Sequence, residues 1–77
     1  NCFTEAHITI IADSYWDKRQ LLMGLWELPG FATYGGTLCE KAIAFKVKIN
    51  ALKQVLDVIN AIAPAFEHLD LVVETFN

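Results

Sequence analysis

The order in which hydrophobic periodicity changes along the chain constrains the fold more than any single residue does. His7 to Asp13 alternates with period two, and Ser14 to Leu28 switches to the helical period. Two strand-like stretches then flank Gly35-Gly36, a second amphipathic helix runs from Asn50 to about Leu69, and Asp70 to Phe76 reads as a closing strand. The order βαββαβ predicts an α+β, ferredoxin-like sandwich, in which an antiparallel sheet carries two helices on one face. The chain of 77 residues is expected to form one domain, and it contains no repeat, linker or low-complexity segment.

Within that frame, each element has a local cause. The first strand directs Ile8, Ile10 and Ala12 to the core and His7, Thr9 and Ile11 to the opposite face. Ser14-Tyr15-Trp16-Asp17 has the S-x-x-D form of a capping box and starts the first helix, whose buried stripe is Leu21, Leu22, Leu25 and Leu28. Asp17, Lys18, Arg19, Gln20 and Glu27 are expected mostly in water, and Pro29-Gly30 ends the helix. Ile43, Phe45, Val47 and Ile49 alternate with Ala42, Ala44, Lys46 and Lys48, the signature of a half-buried strand. Gly35-Gly36 can form the tight turn before it, but Cys39-Glu40-Lys41 divides the hairpin more evenly and makes the glycines a bulge, the favoured reading. Asn50 is the expected N-cap of the second helix, and Leu52, Val55, Ile59, Ile62, Phe66 and Leu69 form its seam. Pro64 predicts a kink or a break into a short turn after Ile62.

Composition bears on partners. A hydrophobic content of 55% exceeds what the few interior positions of so short a chain can absorb, so self-association is expected. Ile11, Ala42, Ala44, Val72 and Phe76, all on the sheet face that the helices leave open, are the expected interface of a homo-oligomer, with an edge strand or cover by another chain as the alternatives. Six Lys and Arg against nine Asp and Glu, in no long run of either sign, argue against nucleic acid binding over a broad basic surface. No apolar run approaches the roughly 18 residues of a membrane span, so no membrane partner is expected. Cys2 and Cys39 lack metal or redox spacing and fit a reducing, cytoplasmic setting.

Few residues carry chemistry. Asp13 stands where the first strand ends, a place where loops build ligand sites, although a carboxylate there also suits a helix start. Together with Ser14, Asp17, Gly35 and Gly36 it makes the candidate ligand-binding set. Ser14, His7 and Asp13 have the residue types of a hydrolytic triad, but capping explains Ser14 better. His7 and His68 have no metal-ligand spacing, so neither metal nor cofactor is expected. Trp16 and Trp26 lie about 80° apart around the first helix, with Trp26 expected at the core's edge or a subunit contact and Trp16 over the helix start.

Leu25-Trp26-Glu27-Leu28-Pro29-Gly30-Phe31, followed by Ala44 to Leu52, resembles the helix-end and third-strand pattern of ACT and related regulatory domains, including the ligand-binding domain of leucine-responsive regulators. Asp17-Lys18-Arg19-Gln20-Leu21-Leu22 is similar to the start of the ACT first helix, with Gln20 in place of its glycine. The resemblance implies a non-enzymatic regulatory or interaction module, with any small-molecule ligand near the first strand-to-helix loop and the subunit interface. A second resemblance, carried by Asp13, Asp17-Lys18-Arg19, Gly30-Phe31 and Gly36-Thr37-Leu38, is to the small ribonucleases of the CRISPR-associated and virulence-associated protein D group. It implies a metal-dependent endoribonuclease with Asp13 as the catalytic residue. Asp13 to Leu21 also resembles the nickel-responsive repressor, whose histidine ligands have no counterparts here. A structural or designed domain without a ligand is the remaining class.

Overall fold

A computed structural model describes residues 2–26, 28, 32–33 and 41–77. Elements follow in the order β1 (Glu5–Ala12), α1 (Tyr15–Leu25), β2 (Ala32–Thr33), β3 (Ala42–Lys48), α2 (Leu52–Ile62) and β4 (Leu69–Phe76). The chain is therefore α+β. The sheet order is β2-β3-β1-β4, and every neighbouring pair is antiparallel. β1, β3 and β4 are long, and the two described residues of β2 pair with Lys46 and Phe45 of β3.

The core forms where period-two and period-3.6 stripes meet. Ala6, Ile8, Ile10 and Ala12 of β1 are buried, as are Ile43, Phe45 and Val47 of β3 across from them. Leu21 and Leu25 of α1 and Val55 and Ile59 of α2 close over those strands, and Leu22, Leu28, Leu52, Ile62, Phe66 and Leu69 pack around the cluster. Both helical stripes thus face the same side of the sheet, and directly opposed residues on neighbouring strands share a side.

Several boundaries differ from the sequence expectation. β1 begins at Glu5 rather than His7, because Glu5 is paired on both sides, with Lys48 and Phe76. Asn50 does not cap α2. It lies within a 3₁₀ turn, Ile49–Ala51, and the N-cap position falls to Ala51, which makes no side-chain capping bond. Ile49 N–H donates to Thr4 O at 3.0 Å, which ties this residue to the chain beside β1 and takes Ile49 out of the β3 alternation. α2 ends at Ile62 and passes into a 3₁₀ turn, Ala63–Ala65, with Pro64 near its start, where a missing N–H costs no helical bond. Pro29-Gly30, Gly35-Gly36 and Cys39-Glu40 lie outside the described residues.

The helix layer does not cover the whole sheet. Leu71 and Val73 of β4 point to the same side as Ile10 and Ile8, their partners on β1, yet they are 41% and 37% exposed while Ile10 and Ile8 are fully buried. Cover ends at β1.

Candidate functional site

Ser14 and Asp17, two members of the candidate ligand set, are engaged in starting α1. Ser14 is extended (φ −146°, ψ 163°), and its Oγ accepts the Asp17 N–H at 3.1 Å while its carbonyl accepts the Lys18 N–H at 3.0 Å. Asp17 adds a carboxylate to the first turn, where the unpaired N–H groups favour negative charge. Ser14→Ala is expected to lower stability by about 0.5–2 kcal/mol, measured by urea unfolding, as for other N-caps; an unchanged midpoint would separate Ser14 from the helix start. Asp13 stands exposed at the bend between β1 and α1. Gly35 and Gly36 lie outside the described residues, so the five-residue set is not assembled. Among the described residues no group of three His, Cys, Asp or Glu side chains comes together.

Asp17 instead lines a cleft of about 410 Å³ between the first turns of α1 and the end of α2, with Trp16, Gln20, Gly24, Ile62, Ala65 and Phe66. An ideal Cβ on Gly24 would stand 3.5 Å from Ile62 Cδ1, an ordinary van der Waals distance, so alanine would fit at this position of the lining. One carboxylate, one amide and an indole over an apolar floor can hold an amphipathic group, but they supply no nucleophile–base pair.

The outer side of α1 is a feature that the leucine stripe concealed. Trp16, Met23 and Trp26 are each 66% exposed and Tyr15 is 53% exposed. At the helical step of about 100° per residue, Tyr15, Trp26, Arg19, Met23 and Trp16 occupy one arc of about 100°. Trp26 is thus exposed rather than at the core's edge, the first of the two places expected for it. Lys18 Nζ and the Arg19 guanidinium lie 6.0 Å and 5.9 Å from the Tyr15 ring centre. Tyr15 and Met23 were legible only by subtraction: once Leu21, Leu22 and Leu25 face the core, the water-facing side of α1 retains too few polar residues.

The expected interface residues share the sheet side that faces away from the helices. Register places Ile11 between Ala42 and Asp70, Thr9 between Ala44 and Val72, His7 between Lys46 and Glu74, and Glu5 between Lys48 and Phe76. The first two rows are mainly apolar and the last two are charged. His7 Nε2 pairs with Glu5 Oε2, and the His7 ring lies 4.1 Å from that of Phe76. Ile11, Val72 and Phe76 are exposed, and Ala42 and Ala44 are half-buried.

No protein-family model, no curated protein and no solved structure matches the chain.

Proposed function

We propose that this chain is a ferredoxin-like domain of ACT type that works without catalysis, as a regulatory and interaction module assembled from copies of itself. The element order and the strand order β2-β3-β1-β4 support the fold assignment. The function rests on one observation: Leu71, Val72, Val73 and Phe76, four large apolar side chains of a single strand, are each at least 37% exposed. Burying such a strip against a second copy removes apolar surface from water on both sides of the sheet at once. A small-molecule ligand of this module would sit beside Asp13 and the subunit contact.

Sedimentation velocity over micromolar concentrations is expected to give a dimer. A monomer throughout that range would overturn the reading. RNA cleavage that requires magnesium or manganese and is abolished by Asp13→Asn would replace it with the nuclease reading, because the amide keeps the shape of the side chain while removing the charge that attracts the cation.

A further inference from the structure

Deepening the homotypic reading above, on which it rests, we infer that two copies join through their β4 edges as an antiparallel pair centred on Val73, forming one sheet across a two-fold axis. The phase of the backbone hydrogen bonds is the first ground. Ala12 N–H donates to Lys41 O, so even-numbered residues of β1 turn toward β3, and Thr4 N–H, just before β1, donates to Phe76 O, so the Phe76 carbonyl turns inward toward β1. Odd-numbered residues of β1 then turn toward β4, where their partners are Asp70, Val72, Glu74 and Phe76. Leu71, Val73 and Thr75 are left with N–H and C=O directed outward, and no strand lies beyond β4 among the described residues.

That phase restricts how a second β4 can add. Outward groups must meet outward groups, so odd-numbered residues oppose odd-numbered ones and both helix layers fall on the same side of the joined sheet. Two such registers use nearly the full length of Leu69–Phe76. Centring on Val72 sets Asp70 opposite Glu74 of the second copy, twice over, which is repulsive. Centring on Val73 sets Asp70 opposite Phe76, Leu71 opposite Thr75 and Val72 opposite Glu74, with no like charges opposed. A parallel, in-register stack would place Asp70 on Asp70 and Glu74 on Glu74, so the charges also oppose open-ended growth.

Edge pairing also accounts for exposure that face-to-face packing does not. Stacking the open faces would cover Val72 and Phe76 but would leave Leu71 and Val73 in water. It would also bury Glu5, Lys46, Lys48 and Glu74, at a desolvation cost. Because the contact is the same patch on both copies, association closes at two.

The test compares the unmodified chain with Val73→Pro, Val73→Lys and Ala44→Lys by sedimentation velocity, with far-UV circular dichroism to report folding. Proline at 73 removes an outward N–H and leaves the β1–β4 ladder intact, and lysine places two like charges at the axis. Both are expected to raise the dimer dissociation constant at least about tenfold. Ala44→Lys, on the open face two strands inward, should leave it within about twofold. If the proline variant does not fold, the lysine variant decides. A dimer insensitive to both Val73 variants, or species beyond a dimer that grow with concentration, would overturn the edge pairing and leave the homotypic reading standing. A monomeric unmodified chain would overturn the homotypic reading itself.

Discussion

Replacing Phe45 with alanine is expected to lower the unfolding free energy by about 3–5 kcal/mol. Phe45 is fully buried and is the largest of the completely enclosed side chains among the described residues. It stands on β3 opposite Ile8, with β2 pairing at Thr33 on its other side, so the surrounding backbone is held by two ladders and cannot collapse into the space that the ring leaves. The loss therefore includes a cavity contribution in addition to the lost transfer of the ring from water. A chain of this length has a total stability of about 4–12 kcal/mol, so the loss removes from about a quarter to all of it, and the variant is unfolded at room temperature only if the unmodified chain lies at the low end. Far-UV circular dichroism during urea titration is the suitable measurement, because Trp16 and Trp26 are already largely exposed when folded and their emission will change little. Phe45→Leu should lose much less, since most of the apolar volume is kept. An alanine variant within about half a kcal/mol of the unmodified chain, as at surface positions, would mean that β3 turns its other face to the helices.

The strands' facing was legible in the sequence because it is a local pattern. Ile8, Ile10 and Ala12 on β1, and Ile43, Phe45 and Val47 on β3, are spaced by two, with Ile11 the one large apolar residue between them, and each set is buried as expected. Features set by pairing at a distance were not legible. Nothing around Glu5 marks it as a strand residue until Lys48 and Phe76 lie beside it, and Asn50 loses its expected cap because Ile49 is tied to Thr4. Leu71-Val72-Val73 shows the same limit in the opposite sense. Alternation placed Val72 and Phe76 on the open face but did not reveal that Leu71 and Val73 are also in water, because the run forms a sheet edge that the helices leave largely exposed.

The candidate site divides along the same line. Ser14 and Asp17 were legible as a pair because a capping bond spans three residues, and that is the bond they make. Which faces are left without cover depends on where α1 and α2 lie over the sheet, and periodicity does not contain that information. The open-face residues Ile11, Ala42, Ala44, Val72 and Phe76 nevertheless share one side, since alternation alone determines sidedness once the register is set.

Two adjacent residues of α1 are expected to give opposite results, which makes the helix a sharp test of its own orientation. Leu25→Ala should cost about 2–5 kcal/mol, whereas Trp26→Ala, which removes a much larger side chain, should cost less than about half a kcal/mol. Leu25 is fully buried within the cluster formed by the helices and β1 and β3, and Trp26 is 66% exposed on the arc shared with Met23 and Trp16. Hydrophobicity by itself would rank the pair the other way, because an indole removes more apolar area from water when it is buried. The measured order therefore reports the rotation of the helix about its axis. A Trp26→Ala loss equal to or larger than that of Leu25→Ala would mean that α1 is turned by roughly 100°, the step between consecutive residues. Tyr15 and Trp26 would then turn toward the core together with Leu22, and Leu21 would lie at the surface.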